Sequence, residues 1–600
     1  MILTDWEGVW MEKWFVAMKK ADFNGIAEKY QISPIIARLM RNRDVIGDEA
    51  IDFYLNGTVE DLYDGLLMKD MDRAVDIIKE KIEEGKKIRV IGDYDIDGVN
   101  ATYILQQGLA GLGADVDTDI PDRIKDGYGL NQMLIDRALE DDVDTIITCD
   151  NGIAAMSEIA YGKENGMTII VTDHHEVVRD EDGSQVLPEA DAVVNPHRDD
   201  CLYPFAGICG GVVAYKLVQV LYEKNGIPEQ EWKDMLEFAA IATVGDVMKL
   251  QDENRIIVRW GLKQIPHTAS AGLRALVEAC GLDIYDLTAY HIGFVIGPCL
   301  NASGRLKTAQ LALELLLCEE SNVSGSMSGL LEKRPGSEMQ CRSRAEEMAV
   351  ELKLLNEERK DMTQSGMEQA FEQVDAELAD DDVLVVYLPD CHESLAGIIA
   401  GRVREAYNKP SFVLTRGEDC VKGSGRSIES YHMYQALCGV QDLLLKFGGH
   451  PMAAGFSLKE ENIDEFRRRL NEQSQLTKED FIPKIWIDVA MPLEYISEAL
   501  VNELKGLEPF GQGNEKPQFA QKNLRIRSVR AIGRNNNAVR MTVVTEQGRP
   551  MEAMVFTMAD QFVEEAKQSR SIDVIYYPDI NEYNGDRTLQ IVVRAYKLHS

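Results

Sequence analysis

The 600-residue chain has ten cysteines and no Cys-x-x-Cys pair. Cys149, Cys201, Cys209, Cys280 and Cys299 sit mostly among apolar residues, so the fold need not rest on disulfides. That usage predicts a reducing, cytoplasmic setting. Positive charge is also scarce: 64 Lys and Arg stand against 101 Asp and Glu, a formal net charge of -37. Such a chain cannot coat nucleic acid by bulk attraction, because phosphate neutralisation needs clustered cations, although a local basic groove remains open to it. No segment approaches the length of apolar chain that spans a bilayer, and the start, MILTDWEGVWMEKW, has early acids and no basic region leading into an apolar run. The expectation is a soluble, unexported protein without a membrane partner. Internal repeats and low-complexity segments are absent as well.

What is present is length, enough for about three to five folding units. Residues 1–75 read as a helical lead-in, with IAEKYQISPIIARLM at helical spacing. From there the pattern becomes short apolar strands (KIRVIGD, VDTIITCD, MTIIVTD) alternating with amphipathic helices, which predicts an α/β domain on a parallel sheet over 76–321. LEFAAIATVG is apolar all round and reads as a buried helix ending at Asp246. A charged helical connector is expected over 322–375. A second α/β domain follows over 376–470, from DDVLVVYLPD to GFSL. The last part, 471–600, alternates at period two in NLRIRSVRAIG, AVRMTVVTE and RTLQIVVRAYK, the pattern of a small β-barrel. From Gln521 onward it carries 12 Lys and Arg against 9 Asp and Glu, which makes it the first candidate for a nucleic-acid platform.

The sharpest local signal is IGDYDIDGVN. Asp93, Asp95 and Asp97 alternate before Gly98, as at the front of a calcium loop, but the twelfth position of such a loop needs a bidentate Glu and here is Ile104. A strand also precedes the acids where a calcium loop needs a helix. In open α/β sheets ligands gather beyond the carboxyl ends of the strands. Three strands end there on hard ligands: the acids of DYDIDG, then Asp150, then Asp173, His174 and His175. Any one of these alone reads as a turn former or helix cap, and adjacent histidines as surface residues. Jointly they read as a centre. Crowded carboxylates raise one another's pKa unless a cation neutralises them. A pair of divalent ions roughly 3.5 to 4 Å apart resolves that conflict and suits phosphoryl transfer. Oxygen ligands with some imidazole favour Mn²⁺ or Mg²⁺ over structural zinc.

DYDIDG, CDNG, TDHHE and VGDV, in that order, resemble the four motifs of the DHH phosphoesterases. IPDRIKDGYGLN, NPHRDD, GPCLNASGR, GSGRSI, FGGHPMAAGFS, LEPFGQGNEKPQF and NEYNGDRTLQIVV resemble segments of the RecJ family of single-strand-specific exonucleases, in the same order, from about residue 25 to 598. The resemblance implies a DHH domain, a DHH-associated domain beyond a long helix, and an OB-like barrel. It implies that Asp95, Asp97, Asp150, His174 and Asp246 hold two ions, Mn²⁺ or Mg²⁺, with Asp150 as bridge, and that His175 contacts or polarises the scissile phosphate. Asp93 is left as a supporting residue or a cap for the following helix. Asn301, Arg305, Ser424, Arg426 and His450 are implied to grip substrate phosphates, which suits guanidinium forks and glycine-rich backbone; GSGRS alone reads as a simple turn. The implied activity is 5′→3′ degradation of single-stranded DNA to 5′-mononucleotides in repair and recombination. A monomer working beside a helicase and a single-strand-binding protein is implied as well. Two alternatives stay open, a DHH phosphodiesterase on short or cyclic oligonucleotides and a non-catalytic DNA-binding scaffold. The sequence departs from the family pattern at Cys299, where an arginine is usual, and at Cys391, Glu393 and Ser394. Those changes touch substrate grip and leave the metal residues intact.

Overall fold

A computed structural model describes residues 12–123, 126–127, 129–319, 343–533, 537–557, 559–583 and 586–599. The start of the helical lead-in (1–11), the last two residues of the expected first α/β domain (320–321) and the first part of the expected connector (322–342) lie outside the described residues. The chain forms two compact bodies, one of Trp14–Gly297 with Trp486–Ser600 and one of Met1–Lys13 with Pro298–Ile485.

The first body is built on a five-stranded parallel sheet: β1 (Lys87–Ile91), β2 (Asp115–Asp119), β3 (Thr145–Cys149), β4 (Thr168–Thr172) and β5 (Ala192–Val194), in spatial order β2-β1-β3-β4-β5. Helices cover both faces, which is why β3 and β4 read as nearly unbroken apolar runs. On one face lie α1 (Ile96–Gly111), α2 (Gly210–Lys224) and α3 (Leu236–Gly245), packed on one another. α3 is buried from Leu236 through Thr243, as its all-round apolarity requires. On the other face Leu134, Ile135 and Ile159 share a core with the sheet. Strand order reverses between β1 and β3, and the crevice that this opens at their carboxyl ends is where Asp93 to Asp97 and Asp150 emerge.

The same body contains the barrel. Strands Phe519–Ile532, Ala538–Val544, Pro550–Val555, Ser571–Tyr583 and Asp586–His599 close on themselves because the first pairs with both the second and the fourth. Its core is not self-contained. Ile36, Leu39, Met40 and Tyr54 from the N-terminal helices are buried in one cluster with Phe519, Val539, Val574 and Ile591. Arg255, fully buried, ties the sheet domain to this cluster by donating to the carbonyls of Tyr54, Gly506 and Leu507.

The second body contains a 30-residue helix, α4 (Arg344–Gln373), started by a capping box between Ser343 and Glu346. It lies against α5 (Ala396–Tyr407). A mixed sheet follows in the order Leu444–Gly449, Ala453–Leu458, Val421–Arg426, Ser411–Arg416, Leu384–Tyr387. The turn reading of GSGRS gives way here: the segment is part of the Val421–Arg426 strand. Its glycines are there for packing. A Cβ on Gly423 would sit 2.2 Å from the Phe456 ring, and one on Gly425 2.7 Å from that of Phe412.

No described helix is long and apolar enough to cross a membrane. No disulfide joins the described cysteines, of which Cys149, Cys209 and Cys299 are buried.

Candidate metal centre and phosphate-binding groups

The three acids of DYDIDG take three different environments. Asp95 is the N-cap of α1, its Oδ1 accepting from the backbone N–H of Asp97 (2.9 Å) and Gly98 (3.1 Å). The cap role therefore falls to Asp95 and not to Asp93. Asp97 sits in the first turn of α1 and accepts from Gly210 and Gly211 at the start of α2, 2.7 Å each, so its carboxylate is fixed by the N-terminus of α2. Asp93 is buried beside them. Neither of its oxygens accepts a hydrogen bond of ordinary geometry, although the N–H groups of Tyr94 and Gly129 face it.

Asp150 follows β3 with a backbone φ of 60°, a left-handed conformation that a non-glycine residue adopts at a cost. Asn151 braces this corner, donating to the carbonyls of Ile91 (3.1 Å) and Cys149 (2.9 Å) at the ends of β1 and β3. Beyond β4, Asp173 is occupied with its neighbours. Its Oδ1 accepts from His174 N–H, His175 N–H and the His175 ring Nδ1 (2.8 Å), and its Oδ2 from Ile153 N–H (2.9 Å). Asp246 caps the end of α3.

These groups converge. His174 Nε2 lies 3.0 Å from Asp150 Oδ1, 3.5 Å from Asp97 Oδ2 and 3.8 Å from Asp246 Oδ2. Three sets each bring their ligand atoms within 4.8 Å of one another: Asp97, His174 and Asp246; Asp93, Asp95 and Asp150; Asp150, His174 and His175. Burial, then the charges of Asp97 and Asp95, push the Asp150 pKa well above the carboxylate range. Burial and neighbouring acids likewise raise Asp93 and Asp246 to about 8. His174 is lowered, mainly by burial. His175 is the exception: burial opposes its charge, but the bond to Asp173 and the charges of Asp173, Asp246 and Asp97 lift it to about 9.

In the second body, Ser424 and Arg426 face the first turn of α5. A Cβ on Gly397 would lie 3.0 Å from Ser424 Oγ and 2.9 Å from Arg426 Nη2, so both side chains rest close against the start of this helix. Arg305 donates to the Ser394 carbonyl just before α5 (2.8 Å), and Asn301 is on the same helix as Arg305, Gly297–Leu306. His450 is exposed at the tip of the hairpin, its N–H bonded to Ala453, the residue paired with Arg426. Cys299 is buried, and its Sγ accepts from Asn356 Nδ2 at 3.4 Å.

This chain matches three families in succession: the DHH family, N-terminal domain, over residues 87–243, the DHHA1 domain over 380–475 and the RecJ OB domain over 487–595. The single-stranded-DNA-specific exonuclease RecJ of Bacillus subtilis is 35% identical over 573 residues, covering 95% of this chain and 68% of that protein. The chain belongs to the RecJ family. The Haemophilus influenzae RecJ is 31% identical, covering 93% of this chain and 95% of its own. Crystal structures of Thermus thermophilus RecJ in complex with Mn²⁺ and Mg²⁺ match with TM-scores of 0.80 and 0.75, at 27% and 26% identity, covering 98% of this chain and 79% and 78% of theirs.

The donor set of this RecJ-family chain suits such ions: carboxylate oxygens with one buried imidazole. Four acids with raised pKa values in one small volume also form a cradle that a divalent cation would relieve. The strand-end pattern did not separate Asp173 from the other acids; only the family resemblance left it out of the ligand set. What sets it apart is its hydrogen bonding to the His-His pair, which no spacing rule displays.

Proposed function

We propose that this RecJ-family protein is a metal-dependent exonuclease that degrades single-stranded DNA from the 5′ end and releases 5′-mononucleotides. The observation that carries the reading is the convergence of His174 on Asp97, Asp150 and Asp246 at the carboxyl edge of a parallel sheet. Asp97, His174 and Asp246 would hold one ion. Asp95 and Asp150 would hold the other with Asp93 beside them, and Asp150, whose Oδ1 lies 3.0 Å from His174 Nε2, would contribute to both. A bound pair of Mn²⁺ or Mg²⁺ ions supplies the charge that acidifies water and steadies a leaving oxygen.

The protein's own groups do the rest. Asp97 is held rigid by Gly210 and Gly211, so its free lone pairs keep their aim. Asp95 spends Oδ1 on its cap and has Oδ2 for coordination. The His175 ring, anchored through Nδ1 to Asp173 and with its pKa raised to about 9 despite its burial, would carry a proton and donate it in a hydrogen bond to a phosphate oxygen. Arg305, Asn301, Ser424, Arg426 and His450 would hold substrate phosphates, and the barrel would bind the strand by stacking and backbone contacts. The setting that goes with this activity is a cytoplasmic monomer in repair and recombination, supplied with single strands by a helicase and a single-strand-binding protein.

The test compares a long 5′-labelled single strand, the same sequence as duplex, and a dinucleotide, each with Mn²⁺ or Mg²⁺. Rapid release of labelled mononucleotide from the long single strand alone is expected, with loss in Asp150→Ala and His174→Ala. Cleavage of the dinucleotide only would favour a short-substrate phosphodiesterase, and DNA binding without cleavage a scaffold.

A further inference from the structure

The arginines of the second body divide by partner. Seven of the described ones, among them Arg402, Arg416 and Arg467, lie 2.6 to 3.6 Å from a carboxylate. In a chain with this excess of acid that is the expected state. Arg359 and Arg426 have no carboxylate partner among the described residues, and Arg426 already lies with Ser424 against the first turn of α5. Arg359 comes from α4. A Cβ on Gly366, two turns further along α4, would lie 2.6 Å from Ile399 of α5, so the helix carrying Arg359 is seated directly on the helix that faces Ser424 and Arg426.

Arg359 is held for a purpose other than charge pairing. Its Nε and Nη2 donate to Asn356 Oδ1, at 3.1 and 2.9 Å, and the buried Asn356 in turn donates to the buried Cys299 thiol at 3.4 Å. The acceptor is neutral, so the full positive charge is kept. The side chain is half-buried, and its hydrogen bonds to described residues run through Nε and Nη2. Burial opposes its charge most, the Cys299 sulfur favours it, and the nearby Arg402 opposes it. A partly desolvated cation without an acid beside it is unfavourable until an anion arrives.

We propose that Arg359 is a further substrate-binding residue that grips a backbone phosphate of the single strand, with Asn356 and Cys299 as its positioning residues. The proposal rests on the exonuclease reading and adds a contact to its phosphate track. A guanidinium fixed along one edge presents its remaining N–H groups as a fork to two phosphate oxygens.

The experiment is fluorescence anisotropy of a 5′-fluorescein-labelled 20-nucleotide oligo(dT) bound to the full chain in EDTA, across a potassium chloride series. Neutralising one phosphate contact on a single strand changes the slope of log K against log salt by about 0.7. Arg359→Gln is expected to reduce the steepness by about that amount and weaken binding several-fold at low salt, while Arg359→Lys keeps the slope. Asn356→Asp retains the arginine but gives it a carboxylate, and is expected to lose the same increment; it keeps the question decidable should Arg359→Gln fold poorly. Wild-type slopes in both Arg359→Gln and Asn356→Asp would overturn the proposal and leave the exonuclease reading standing. A wild-type chain that does not bind the oligonucleotide would overturn both.

Discussion

Asp150 combines a left-handed backbone, which carries strain, with burial and four neighbouring acids, which oppose an ionised carboxylate. That is what a ligand poised for a cation costs the empty protein. In EDTA, Asp150→Asn is expected to melt at a higher temperature than wild type. On adding Mn²⁺ the wild type gains the larger increment, since binding at about 100 times Kd is worth about 2.7 kcal/mol. Differential scanning fluorimetry with and without Mn²⁺ reads both effects, and equal metal-induced shifts in the two proteins would contradict the ligand assignment. Glu237 offers a second residue-level test away from the centre. It is buried on α3, with Oε1 accepting from the Thr268 hydroxyl, and burial raises it from 4.5 to about 8. Between those values the folded state binds the proton that the unfolded state has lost. Its contribution to stability is therefore complete below pH 4.5 and falls as pH rises through 8. Glu237→Gln, which keeps an acceptor for Thr268, is expected to match wild type near pH 5 and exceed it by a few kcal/mol near pH 8.5, at about 1.4 kcal/mol per pKa unit. Urea melts at the two pH values decide it. At this scale the sequence was legible wherever an acid ended an apolar strand. It was silent where role depends on hydrogen bonding: Asp173 looks like Asp150 in the chain, and Arg359 is one charge in the run NEERKD.

Elements were legible where side chains carry a period. β1, β3 and β4 announce themselves as apolar runs, and α3 as a helix apolar on every side. The family resemblance, and not periodicity, pointed to Ser424 and Arg426, because VKGSGR has no alternation to read. The strand exists because Phe456 closes over Gly423 and Phe412 over Gly425, contacts made by residues 33 and 13 positions away in sequence. Gly423→Ala is accordingly expected to destabilise this sheet by about 1 to 3 kcal/mol through overpacking. Hydrogen exchange of the Ser411–Arg416 and Ala453–Leu458 amides would register it, and unchanged protection would contradict the packing account.

For the molecule as a whole, the sequence showed a helical start and a barrel end without showing that they share one core. Binary patterning marks which faces are apolar and says nothing about which distant face each one meets. Leu39 is fully buried in the cluster that also contains Phe519 and Val574 of the barrel. Leu39→Ala is therefore expected to cost about 2 to 5 kcal/mol and to loosen the barrel amides some 480 residues away in the chain. The net charge of -37 acts at this scale too: on the proposed function, nucleic acid would be bound through local groups such as Arg305, Arg426 and the barrel's mild basic excess, against an unfavourable overall field. The central claim, that converging acids and His174 at one sheet edge make this chain a metal-dependent nuclease for single strands, is tested most directly by one time course. A 5′-labelled single strand is incubated with wild type and with Asp150→Ala while Mn²⁺ is titrated from zero. The account predicts mononucleotide release that rises with Mn²⁺ in the wild type and stays at background in Asp150→Ala. Equal metal-dependent release from both proteins would contradict it.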